Sequence, residues 1–223
     1  KLDTDITNGD STKTQEILSA FRDGEIDILL GTQMIAKGLN FPKVSLIGIL
    51  NADSSLALPD FRAGERTFDL LHQVAGRAGR YRDDGKVIIQ TTQPTAPAIQ
   101  MAATNDLEHF YERELSQRKE TMFPPFTRLV NLSIRGKMEE KVKEAAMALG
   151  DMASNLSDSD EEIEVFSPSP CLVEKMAGQW RWHVLLRSQS ISRLLNFTRT
   201  LLSSFRLPSS LHLEVDVDPI TLF

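Results

Sequence analysis

The stretch RAGERTFDLLHQVAG, residues 62–76, sets Phe68, Leu71 and Val74 on one side of a helix, and its flanks decide what that helix belongs to. Before it VSLIGIL (44–50) and after it KVIIQTT (86–92) are short, nearly continuous apolar runs, the pattern of strands buried on both faces. A third run of this kind, IDILLG (26–31), follows TKTQEILSAFR (12–22), where Ile17, Leu18 and Phe21 have helical spacing and Asp10 or Ser11 supplies an N-cap. Between IDILLG and VSLIGIL, TQMIAKG (32–38) fits a short helix or turn ending at Gly38. Strands alternating with helices predict a parallel sheet of the α/β class.

The pattern changes after QPTAPA (93–98). A polar helix, DLEHFYERELSQRKE, runs to about residue 120, and the adjacent prolines of MFPPF (122–126) break it. Then come strand TRLVNLSIRG, helix EEKVKEAAMALGDMASNL, a short strand EIEVFS and a Pro-rich loop. Strand WRWHVLLRS, helix SRLLNFTRTLLSSF and strand HLEVDVDP complete the chain. The order β-α-β-β-α-β is the split βαβ, ferredoxin-like plan, an α+β unit following the α/β one.

The 223 residues suffice for one large domain or two ordinary ones, and an apolar fraction of 41% can build a core. No apolar run approaches the roughly 20 residues that cross a bilayer, so no membrane partner is expected. The single cysteine, Cys171, forms no internal disulfide or zinc site by itself, which suits a reducing cytoplasm. A formal charge of −6 argues against indiscriminate coating of DNA but leaves room for a local basic face, since acids concentrate in SDSDEE (157–162). The chain opens on KLDTDIT without an initiator methionine and reads as a fragment of something longer.

Three constellations carry chemistry. In QVAGRAGR (73–80), Arg77 and Arg80 lie three residues apart, where two guanidiniums share a side and can grip charge on a transferring phosphoryl group. Gly76 and Gly79 permit close approach, and Gln73 stands one turn back; a capped helix C-terminus explains the same residues equally well. In GTQMIAKG (31–38), Gly31 follows a strand, and Thr32, Gln33 and Lys37 offer polar groups at the strand's carboxyl end, where open α/β sheets bind ligands. The alternative is an ordinary strand-to-helix connection. In GQWRWHVLL (178–186), Trp180 and Trp182 point to one face of a strand and Arg181 to the other, materials for single-strand stacking or simply for a core. Lys175 and Arg187 are the nearby cations that join Arg181 as candidate DNA contacts. Arg62, Glu65 and Arg66, at i, i+3 and i+4, suit a structural ion-pair cluster at least as well as catalysis.

GTQMIAKGLNFP followed by QVAGRAGR resembles motifs V and VI in the second RecA-like lobe of superfamily 2 helicases. With DSSLALPDFRAGER (53–66), FPPF (123–126), GQWRW (178–182) and DVDP (216–219) in the same order, essentially the whole chain looks like the PriA family of replication-restart helicases. The resemblance implies the end of helicase lobe 2 over 1–96, a helical connector over 97–122 and a ferredoxin-like domain binding DNA and partners over 123–223. It gives Arg80, Arg77 and Gln73 the motif VI role against ATP phosphates, with Arg80 as the finger. Gly76, Gly79, Gly31 and Asp53 then lie at the nucleotide or its coupling. Thr32, Gln33 and Lys37 couple that nucleotide to the DNA backbone.

It further implies ATP with Mg2+ as cofactor, 3′-to-5′ unwinding, and action on stalled or branched forks. Forked and single-stranded DNA, the single-stranded-DNA-binding protein and other primosome proteins become the expected partners. No GxxxxGK[ST] loop or DExH-type acid pair occurs in these residues, so the fragment alone is expected to be inactive. The family's zinc-binding cysteines are expected upstream, with no metal site here. At the WRW segment the chain departs from the family pattern, with Gln179 and His183 where Arg and Gln are expected. A non-motor binding module that retained the α/β fold is the competing reading.

Overall fold

The computed structural model describes residues 11–31, 43–78, 85–158 and 160–222, and the side chains of Ser11, Arg77 and Ala78 are not among the described features. The chain divides into two compact units. One comprises residues up to 58 with 62–114, and the other 59–61 with 115–223.

In the first unit α1 spans Ser11–Asp23, β1 Leu46–Ile49, α2 Ala63–Ala78, β2 Lys86–Ile89, α3 Pro97–Ala103 and α4 Leu107–Glu120, the last crossing into the second unit. Strands β1 and β2 pair in parallel, Leu46 opposite Lys86 through Ile49 opposite Ile89, with α2 as the crossover. The α2 stripe falls where the spacing puts it: Phe68 and Leu71 are fully buried against Ala98, Ile99 and Ala102 of α3 and Phe110 of α4. The Phe68 and Phe110 rings stack with centroids 3.9 Å apart. Helix α3 was not anticipated; Pro97 at its first turn needs no hydrogen-bonded N–H there.

Two expectations for this unit require correction. Residues 26–30 do not form a strand, Gly31 makes only an isolated bridge, and Ile28 and Leu30 are 73% and 56% exposed. Nor are β1 and β2 buried on both faces. Each alternates exposed with half-buried positions, leaving Leu46 57% and Ile88 60% exposed. Among the described residues the sheet has two strands, and Leu46 and Ile88 share its more exposed face.

In the second unit β3 spans Arg128–Gly136, α5 Glu139–Ser157, β4 Glu164–Val165, β5 Ser169–Met176, β6 Gln179–Ser188, α6 Ile191–Ser204 and β7 Leu211–Val217. The sheet order is β4-β6-β3-β7, with β5 also on β6, and the pairs are antiparallel. Even-numbered residues of β3 and β6 face the helices: Val130, Leu132, Ile134, Val184 and Leu186 pack with Val142, Ala146 and Leu149 of α5 and Leu194 and Leu201 of α6. Odd-numbered residues, from Leu129 and Asn131 to His183 and Arg181, take the opposite face by the period of two.

The segment read as a Pro-rich loop is in fact β5. Its Pro170 sits on a strand that pairs on one side only, where a missing N–H is harmless. The β5–β6 hairpin turns at Ala177 and Gly178, both at positive φ (50° and 76°), the geometry of a primed two-residue turn that favours glycine.

Candidate nucleotide and nucleic-acid sites

In the first unit the carboxyl ends of β1 and β2 are tied together beyond the strands. Ala52 N–H donates to the Gln90 carbonyl at 3.0 Å, and Asn51 N–H to Gln90 Oε1 at 3.0 Å. Asp53, 6% exposed, accepts from the Thr92 hydroxyl and from Thr92 N–H at 3.2 Å. That hydroxyl bond holds the carboxyl below its usual range, against the opposing effect of desolvation. The second carboxylate oxygen, Oδ1, is buried and has no hydrogen-bond partner among the described residues. A buried, ionised carboxylate with a spare acceptor lies where parallel sheets bind ligands.

Helix α2 carries Gln73, exposed, and Gly76, around which a Cβ would meet nothing within 4 Å. Residues 73 and 77 are one turn apart on this helix. Glu65, Arg66 and the preceding Arg62 lie at its start, where Arg66 N–H donates to the Arg62 carbonyl at 2.9 Å. Gly31 is exposed at its bridge. Thr32, Gln33, Lys37, Gly79 and Arg80 lie outside the described residues, as does the Arg77 side chain.

In the second unit Trp180 and Trp182 pack half-buried against the core, with Lys175 Nζ 4.8 Å from the Trp180 ring and Lys143 Nζ 5.9 Å from that of Trp182. Arg181 points to the other face, beside His183. The His183 ring joins Nδ1 to Asn131 Oδ1 at 3.1 Å and Nε2 to Ser169 Oγ at 3.0 Å. The Asn131 oxygen can only accept, so Nδ1 carries the proton and Ser169 donates to Nε2. Burial first, and Arg181 second, push the imidazole pKa down.

Arg187 is committed within the fold. Its Nε donates to Glu164 Oε2 at 2.8 Å and its Nη1 to the Thr121 carbonyl at 2.8 Å, while the guanidinium lies 5.3 Å from the Phe123 ring and 5.0 Å from that of Phe166. A contact to DNA would have to exchange these bonds.

Comparison with known proteins adds the lineage. Residues 4–82 match the profile described as Helicase conserved C-terminal domain, and residues 119–220 match Primosomal protein N C-terminal domain. Replication restart protein PriA of Treponema pallidum is 45% identical over 222 residues, all of this chain and 33% of that protein. Its counterpart in Borreliella burgdorferi is 38% identical over the same full span and 33% of its own length. That of Bacillus subtilis is 37% identical over 92% of this chain and 25% of its own length. The chain belongs to the PriA family.

It spans a third or less of the length of these PriA relatives and matches their C-terminal part. Set against the PriA family, the two profiles fall one on each side of α4's start, leaving QVAGRAGR with the helicase profile and GQWRW with the C-terminal one. Sequence reading missed the Asp53–Thr92 tie between β1 and β2. It also missed the Asn131–His183–Ser169 chain. Both join residues far apart in sequence, and only the strand register brings them together.

Proposed function

We propose that this chain is the end of the second motor lobe and the C-terminal domain of an ATP-dependent 3′-to-5′ DNA helicase. In this reading the protein recognises stalled or branched replication forks and restarts replication by primosome assembly in the cytoplasm. The observation that carries it is the QVAGRAGR run, whose first six residues (73–78) end a helix that crosses between parallel strands, inside a helicase-profile match over 4–82. Domain limits of 1–96, 97–122 and 123–223 go with it. So does a ferredoxin-like plan for the last, supported by the antiparallel order β4-β6-β3-β7 under two helices.

The residues suit one wall of an ATP site and not a whole one. Two guanidiniums at 77 and 80 match phosphate charge and have no acceptor of their own. The buried acceptor on Asp53 suits a cationic or N–H donor rather than a phosphate. ATP with Mg2+, when bound, supplies the phosphoryl transfer that drives the cycle. Arg80 and Arg77 would hold the phosphates, Gln73 would orient their neighbourhood, and Gly76 and Gly79 would leave space for close approach. Gly31, Thr32, Gln33 and Lys37 would transmit the state of that site to the DNA backbone, with Asp53 at the coupling. Trp180, Arg181, Trp182 and Lys175 would meet DNA or the single-stranded-DNA-binding protein. The phosphate loop, the acid pair and zinc cysteines belong in this reading to the longer protein, and the 223 residues alone neither hydrolyse ATP nor unwind DNA.

The test is ATPase and fork unwinding by the longer protein with Arg80→Ala and Arg77→Ala. Loss of turnover by about 10³-fold with DNA binding retained is expected for a finger. Wild-type rates in both variants would overturn the motif VI assignment and leave a passive binding module.

A further inference from the structure

Strands β3 and β6 treat their arginines in opposite ways at their two ends. Where β3 begins, Arg128 forms a bidentate pair with Asp218, and across from Leu129 Arg187 is held by Glu164. Where β3 ends, Arg135 stands directly opposite Arg181 of β6. His212 of β7 stands directly opposite Arg135 from its other side. Direct partners on neighbouring strands share a face with Cβ atoms about 4.5–5.5 Å apart, and like charges so placed destabilise a sheet. Among the described residues neither guanidinium nor the His212 ring makes a hydrogen bond or ion pair. Arg135 and His212 are exposed and Arg181 is half-buried.

On β7 the acids in register on this face are Glu214, opposite Ser133 one pair along, and Asp216, opposite Asn131. Neither forms a salt bridge with the row. Two residues along β6, His183 has its pKa lowered first by burial and then by the Arg181 charge, so no carboxylate there neutralises that guanidinium. A sheet that supplies carboxylates for two arginines and withholds them from the next two leaves a place for an external anion.

Resting on the proposed role in DNA metabolism, we infer that the row Arg181–Arg135–His212 is a phosphate clamp for the backbone of single-stranded DNA on the face of the sheet opposite α5 and α6. Two planar guanidiniums side by side offer fork-shaped donors to successive phosphate oxygens and have no acceptor of their own. The neighbouring positions in register, Ser133 and Glu214, are polar, and the paired fork-shaped donors match a phosphate backbone. Glu214 marks the edge of the clamp.

The test uses the 223-residue chain and a fluorescein-labelled oligothymidylate, with anisotropy titrations at several salt concentrations and no ATP. Arg135→Gln and Arg181→Gln should each weaken binding several-fold, and together roughly tenfold or more. Each should flatten the dependence of log affinity on log salt by about 0.7, the value for one phosphate of a single strand. Glu214→Gln should tighten binding. Each arginine variant should also keep or raise the thermal midpoint, because it relieves a like-charge contact. A double variant with wild-type affinity and slope overturns the clamp. So does a lowered thermal midpoint in both single variants, or a loss of polyglutamate binding with oligothymidylate binding unchanged. None of these arms depends on ATP, so they fail or succeed separately from the motif VI test on the longer protein.

Discussion

His183 shows what one side chain does when the sheet encloses it. Its neighbours are Asn131 and Ser169 as hydrogen-bond partners, Ser133 directly across β3, and Arg181 two residues along its own strand. Both of its ring nitrogens are used by the neutral form, and a proton on Nε2 would break the Ser169 bond beside a guanidinium. The folded pKa is therefore below the unfolded value near 6.5. Between the two values the unfolded chain binds more protons, so the histidine's stabilising contribution is complete above about pH 6.5 and is lost as pH falls toward the folded pKa. His109, raised chiefly by its hydrogen bond to Asp106 at 2.8 Å, acts with the opposite sign. The comparison that isolates His183 is thus wild type against His183→Gln, with urea midpoints measured from about pH 7.5 to pH 5. Wild type should be the more stable at the upper end, and the gap should narrow with acid. A gap independent of pH would mean that the ring does not titrate differently on folding.

At the scale of the element, two helical glycines make opposite predictions from the same residue type. Gly76 lies within α2 with open space where a Cβ would go, so Gly76→Ala should stabilise by about 0.5–1 kcal/mol through helix propensity. Gly150 lies within α5, where a Cβ would come 2.9 Å from Pro168 Cδ and nearer still to Cγ. The ring is the reason for glycine there, and Gly150→Ala should cost about 1–3 kcal/mol despite the better propensity. Denaturant midpoints with unchanged m-values check both; two changes of the same sign would refute the packing argument.

Apart from α3, the helices were readable because each carries its burial stripe within its own turns, as Phe68 and Leu71 do in α2. The strands were less so. IDILLG has the composition of a buried strand, yet composition names no partner, and among the described residues 26–30 find none. In β5 the prolines suggested a loop, because the sequence does not say that its outer edge is unpaired. The arginine row was hidden for a related reason: residues 135, 181 and 212 become neighbours only through the registers of β3 with β6 and with β7.

For the molecule as a whole, the two units differ in how fully each covers its own sheet. The second has a continuous core of strand and helix residues, in which Val130, Leu132, Ile134, Val142, Ala146, Leu149, Val184, Leu186 and Leu194 are completely buried. The first has a smaller core around Phe68 and Phe110, with Ile28, Leu30, Leu46, Leu50 and Ile88 left exposed. Stability scales with apolar surface removed from water, at roughly 25 cal/mol per Å2, so the first unit should unfold at lower denaturant. The sequence provides a selective probe, for both of its tryptophans, Trp180 and Trp182, lie in the second unit. Far-ultraviolet circular dichroism follows helices of both units, whereas tryptophan fluorescence follows one. In urea the dichroism should begin to fall before the fluorescence changes, and Phe68→Ala should move only the early phase, by about 3–5 kcal/mol. Coincident curves would instead make the 223 residues one cooperative unit and overturn the difference in stability.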